Sequence, residues 1–130
     1  MTRYAKGEFE VKLVPQTDER EIPLLGRLSI DKVFHGDIVG SSQGQMLSAR
    51  TAVPASAGYV AIERVEATIN NKKGSFVLQH NATMSNGEFM LNIIVVPDSG
   101  TDELTGIAGK LNIIMKDKKH FYEMEYILPE

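Results

Sequence analysis

A chain of 130 residues, 42% hydrophobic and 24% charged, has the makeup of one globular domain spanning 1–130 and excludes a disordered segment. It has no cysteine, which rules out disulfides, thiolate metal sites and cysteine nucleophiles. The net charge of −3 comes with scattered basic residues, the densest group being Lys116, Lys118 and Lys119, so the basic stripe of a nucleic-acid binder is missing.

Period-2 alternation recurs along almost the whole chain, and no segment carries a helical stripe. Phe9, Val11 and Leu13 alternate with Glu8, Glu10 and Lys12 and predict a first strand with one wet face. Pro15 to Pro23 is a polar, proline-bounded loop. A second strand is expected from Arg27 to His35, and Gly36-Asp37 suits a tight turn into a third, Ile38 to Ala49, whose Ser, Gly and Gln content makes it the least strand-like. After a loop at Ala52 to Gly58 come Tyr59 to Asn70, Gly74 to Met84 and Glu88 to Val96, with turns at Asn71-Lys72 and Asn86-Gly87. A long glycine-bearing connection, Pro97 to Gly109, precedes Lys110 to Lys116 and His120 to Leu128. About eight short strands joined mostly to their neighbours predict an all-β domain, a closed antiparallel barrel in which closure removes exposed edges.

Directly opposed residues in a hairpin share a side of the sheet, so the turns test the faces. A two-residue turn at Asn86-Gly87 sets Met84 opposite Phe89, Ala82 opposite Leu91 and His80 opposite Ile93, and both sets are apolar. A turn at Asn71-Lys72 sets Glu63 opposite His80, with Tyr59, Ala61, Val65, Ala67 and Ile69 on the same face. A turn at Asp117-Lys118 turns Tyr122, Met124, Tyr126 and Leu128 inward. Within this apolar interior Glu63 and His80 are expected to be neighbours, and Lys32 falls among the inward Leu28, Ile30 and Phe34. Buried groups of this kind need partners or water. An eight-stranded barrel is just wide enough to fill with side chains or to hold one small ligand.

Several blocks carry a resemblance. Phe34-His35-Gly36-Asp37, Gly58-Tyr59-Val60-Ala61-Ile62-Glu63-Arg64-Val65, Gly74-Ser75-Phe76-Val77-Leu78-Gln79-His80 and Val95-Val96-Pro97-Asp98-Ser99-Gly100 together resemble a bacterial domain-of-unknown-function family with an allene-oxide-cyclase-like barrel. The glycine-punctuated Asp98 to Gly109 is similar to the corresponding segment of allene oxide cyclase and dirigent barrels. The resemblance implies an eight-stranded antiparallel barrel and homo-oligomers. It implies no settled activity, and no catalytic residue is carried over.

Each candidate has a functional and a structural alternative. Glu63 with His80 is either a general acid/base pair or a buried contact that fixes strand register. Lys32 is an electrophile or Schiff-base former, or else an ion-pair partner. Tyr59 and Tyr122 offer hydroxyls to a ligand or fill the core. His35 has the parity opposite to Lys32, which argues against a metal site with His80 and Glu63, so no metal and no cofactor are expected. The 98–109 segment lacks the lysine-serine ending of a phosphate loop, and Ser99 has no visible base. Met90, Ile94 and Val96 make the sixth strand apolar on its outer side too, a candidate oligomer interface.

Two functions compete. One is a binding barrel for a small apolar or amphipathic molecule, isomerase- or cyclase-like if it has chemistry, lined by Glu63, His80, Lys32, Tyr59 and Tyr122. The other is a non-catalytic homo-oligomeric structural or carrier protein. The start, Met1 to Gly7, has no apolar run of signal-peptide length, and Ile93 to Val96 is far too short to span a membrane. A cytoplasmic location is expected, with neither nucleic acid nor membrane as partner.

Overall fold

The computed structural model describes residues 1–17 and 20–130; positions 18 and 19 of the expected Pro15–Pro23 loop lie outside the described residues. The alternating segments form β1 (Arg3–Pro15), β2 (Leu25–Gly36), β3 (Ile38–Arg50), β4 (Ala57–Ile69), β5 (Lys72–Ser85), β6 (Glu88–Val95), β7 (Ala108–Lys116) and β8 (Lys119–Ile127). Each strand pairs antiparallel with the next, and β1 pairs with β8, giving a closed eight-stranded barrel. That closure explains why β1 begins at Arg3, ahead of the expected Glu8: Arg3 to Phe9 pair with Tyr126 to His120. The thinnest seam is β6–β7, where the ladder consists of Ile94 opposite Lys110.

Two predicted turns form as expected, with Met84 opposite Phe89 and Tyr122 opposite Ile113. The third is displaced. Its tip is Asn70-Asn71 instead of Asn71-Lys72, with Ile69 opposite Lys72. Both asparagines take positive φ, 46° and 72°. A type I′ turn needs positive φ at both central residues, and asparagine is among the side chains that enter this region most readily. Glu63 therefore lies opposite Leu78, and His80 opposite Ala61. A slip of two residues preserves the faces, so Glu63 and His80 still point inward together.

Call the end carrying the 16–24 and 51–56 loops and the 86–87 and 117–118 turns the upper end. The lower half of the lumen is packed solid. Phe34 lies 5.6 Å from Tyr122, nearly edge-on, and 5.9 Å from Phe9, and Phe76 and Tyr126 are buried with them. The connection from β6 to β7 crosses beneath this core, and its short 3₁₀ turn, Asp102–Leu104, inserts Leu104, with Ile107 close behind. Ser99 anchors it: its hydroxyl donates to the Val96 carbonyl at 2.7 Å and accepts from the Val77 N–H at 3.0 Å. Gly74 leaves the space, since a Cβ there would stand 3.1 Å from the Leu104 Cβ. The glycine-punctuated segment is a stopper for the barrel.

Tyr122 lies in this packed half. Its hydroxyl donates to the His35 carbonyl at 2.8 Å and accepts from the Ile38 N–H at 2.8 Å, holding the β2–β3 turn. Burial pushes the phenol pKa up, the Ile38 N–H partly opposes this, and the Asp37 charge adds to it, so the group stays neutral. Tyr122→Phe should cost about 1–3 kcal/mol, the penalty for leaving buried backbone groups unpartnered. A urea titration with unchanged slope would measure it.

Candidate functional site

The small side chains of β3 create the site. On its inner face Gly44 lies opposite Glu63, and Ser42 lies between Lys32 of β2 and Val65 of β4. A Cβ at Gly44 would collide with the Ile62 carbonyl and stand 2.8 Å from the Glu63 Cβ. With so little bulk between them, side chains from β2 and β4 meet across β3. Lys32 Nζ lies 2.9 Å from Glu63 Oε2, and His80 Nε2 from β5 lies 3.2 Å from the same oxygen. The Ser42 hydroxyl donates to Glu63 Oε1 at 3.4 Å.

Both approaches to Oε2 are ion-pair contacts with imperfect hydrogen-bond alignment, and Glu63 Oε2 and His80 Nε2 are shut away from solvent. The group is held by charge and proximity. Burial alone would raise the Glu63 pKa, but the approach of His80 and the charge of Lys32 outweigh it and hold the carboxyl below the ordinary value. Lys32 also lies over the Phe9 ring, 5.0 Å from its centroid, close enough for a cation–π attraction.

Above this cluster the lumen opens. A cavity of about 420 Å³ occupies the upper half, with Val11, Ile30, Leu91 and Ile113 on its walls and Leu13, Phe89 and Met115 toward its mouth. Lys32 and His80 border it. Glu63 is fully buried and does not, so a molecule in the cavity would meet the ammonium and the imidazole and not the carboxylate. Tyr59 also borders the cavity; burial and then the Glu63 charge raise its pKa, keeping the phenol neutral.

The structure thus brings together four of the five candidates, Lys32, Glu63, His80 and Tyr59. Tyr122 points inward as expected but lies in the packed lower half, its hydroxyl committed to backbone. His35 lies on the outer surface, its Nε2 3.1 Å from Glu10 Oε1. Of the outer-face candidates, Met90 and Ile94 are exposed, whereas Val96 lies past the end of β6 and is half-buried, its N–H donating to the Val77 carbonyl. Among the described residues no cluster of three or more His, Cys, Asp or Glu is arranged to hold a metal.

A family model described as a protein of unknown function (DUF3224) matches residues 5–126. The chain belongs to the DUF3224 family. A crystal structure of a DUF3224 protein with unknown function from Shewanella oneidensis MR-1 superposes with a TM-score of 0.94 at 43% identity, covering 100% of this chain and 99% of that one. No curated protein matches. The resemblance to an uncharacterised barrel family is therefore correct at the level of family and fold. Among the described residues of this DUF3224 domain, no helix is long and apolar enough to cross a membrane.

His120 is the site residue that strand parity alone could have supplied. It precedes Tyr122 by two, points the same way, and borders the cavity with its ring 5.1 Å from Phe9. In the strand order β8 lies diametrically across the barrel from β4, so the cavity has an imidazole on the wall facing the cluster.

Proposed function

We propose that this DUF3224 barrel binds a small apolar or amphipathic molecule in the upper half of its lumen, with Lys32 and His80 at the inner end. One observation carries the assignment. A cavity of about 420 Å³, within the usual size range of ligand sites, has apolar walls and ends on a buried charged cluster, Lys32 and His80 against Glu63. A purely structural core is stabilised as well or better by apolar side chains and has no need of a charged cluster opening onto a cavity. An isomerase or cyclase built on this lumen would have to move its proton through a group that borders the cavity, such as His80 or His120, because Glu63 does not reach it.

The test is titration with the neutral fluorescent probe N-phenyl-1-naphthylamine. Its emission should rise on binding to the parent protein. Leu91→Trp, which places an indole on the cavity wall, should weaken binding at least about tenfold, one overfilled contact being worth more than 1.4 kcal/mol. No response from the parent, or equal binding by the variant, would overturn the assignment.

A second property is supported by the outer surface. Val60, Ile62, Met90 and Ile94 are exposed on the outer face of β4 to β6, with Ile62 and Ile94 both opposite Gln79. We infer that this face mediates self-association, a dimer in the simplest case. Ile94→Asp should then halve the mass measured by light scattering, and an unchanged mass would count against it.

A further inference from the structure

We propose that the ligand enters head-first as an anion: a small apolar molecule ending in a carboxylate, whose charge is met by Lys32 and by an imidazolium formed at His80. This rests on the lumen assignment above and names the class of molecule it takes.

The groups within reach of a ligand at the inner end are an ammonium, which only donates, and an imidazole, which donates from both nitrogens once protonated. Lys32 and His80 border the cavity, whereas Glu63 is sealed beneath them. An ammonium has three N–H donors and no acceptor. The Glu63 carboxylate, 2.9 Å away, meets it on the buried side as an ion pair, and the Phe9 ring, 5.0 Å away, offers attraction but no oxygen. The Ser42 hydroxyl is turned to the other Glu63 oxygen. What Lys32 lacks is an acceptor on the lumen side, and a carboxylate supplies two oxygens for it.

Charge balance then decides what happens at His80. With a neutral imidazole the cluster sums to zero, one ammonium against one carboxylate. A second carboxylate brought into this site would leave one negative charge uncompensated away from water, which is costly. The titratable groups facing His80 are Glu63 and Tyr59 from β4, Lys32 from β2 and His120 from β8; Arg3 of β1 and Arg50 of β3 hold inward register positions but are exposed at the two ends of the barrel, and the inner faces of β6 and β7 present none. Tyr59 stays neutral. The imidazole that lies between two carboxylates is therefore where a proton is most favoured. The step is simple: the carboxylate enters, one proton passes from buffer to the His80 ring, and no covalent bond forms or breaks. Two cations then face two anions.

Calorimetry can test this with probes that share a skeleton and differ in charge: decanoate and 2-naphthoate against decanol and 2-naphthalenemethanol. Titrations near neutral pH in two buffers of different ionisation enthalpy report the protons exchanged. The acids should bind roughly tenfold to a hundredfold more tightly than the alcohols, as expected for hydrogen bonds to charged groups. They should take up protons on binding, at most one per molecule. His80→Gln keeps the Lys32–Glu63 pair, so the fold should survive. It should abolish proton uptake and weaken the acids far more than the alcohols, removing most of the preference for acids. Alcohols that bind as well as acids, or uptake that persists in His80→Gln, would overturn the anion proposal and leave the lumen assignment standing. If neither series binds, both are wrong.

Discussion

Glu63→Gln is expected to lose about 3–5 kcal/mol of stability, because it leaves the Lys32 ammonium buried with no counter-charge. The amide has nearly the shape of the carboxylate, so the loss comes from charge and not from a cavity. Lys32 is only 7% exposed and, among the described residues, has no other carboxylate at ion-pair distance. The double variant Lys32→Met/Glu63→Gln should recover most of the loss, since removing both charges removes the penalty that made the single change expensive. Urea denaturation of the parent, both single variants and the double variant closes the cycle. A Glu63→Gln protein as stable as the parent would mean that the ion pair contributes nothing.

The same carboxylate predicts a pH dependence of definite sign. Its folded pKa lies below the ordinary value, so its contribution is fully present above the unfolded-state glutamate pKa of about 4.3. That contribution falls away as pH drops through the lower folded value. The parent should lose stability below about pH 4 more steeply than Lys32→Met/Glu63→Gln, in which the group is gone. Parallel acid limbs in the two proteins would show that other carboxylates carry the acid transition.

Most of the fold could be read from period-2 alternation, because inward residues such as Phe76, Leu78 and Ala82 keep their side whatever the exact pairing. That tolerance also protected the site. The β4–β5 turn lies one residue earlier than expected, yet Glu63 and His80 remain diagonal neighbours on one face. What could not be read is what depends on side-chain volume across non-adjacent strands. The Lys32–Glu63 contact spans β3 and exists because Gly44 and Ser42 leave room for it, so the weak strand character of that segment was itself the signal. The division of the lumen into a packed lower half and an open upper half has the same origin. Phe34, Phe76, Tyr122 and Tyr126 gather in the lower half only once all eight registers are set. His120 and Tyr122 were separated for that reason, one bordering the cavity and the other locked on backbone.

Leu104→Ala should cost about 2–5 kcal/mol, the range for truncating a fully buried leucine. Leu104 is 0% exposed and stands in the main core cluster, although it belongs to a three-residue 3₁₀ turn with little stability of its own. The turn is held from outside itself: the Thr101 N–H donates to the Ser75 carbonyl at 2.9 Å, and the Thr101 hydroxyl accepts from the Ser75 N–H at 3.0 Å. Leucine supplies the apolar surface that seats this segment under the barrel, and alanine would leave a void between Phe76 and the stopper. The effect should be confined to stability. Leu104 closes the lower end, whereas the cavity with Lys32 and His80 opens at the upper end, and the packed aromatic layer separates them. Distant sites without shared partners behave independently. Leu104→Ala should therefore bind N-phenyl-1-naphthylamine as the parent does at a temperature where both are folded, while Leu91→Trp should lose the probe. If Leu104→Ala also lost the probe, the two halves of the lumen would form one coupled unit, and the lower core would have to be counted as part of the site.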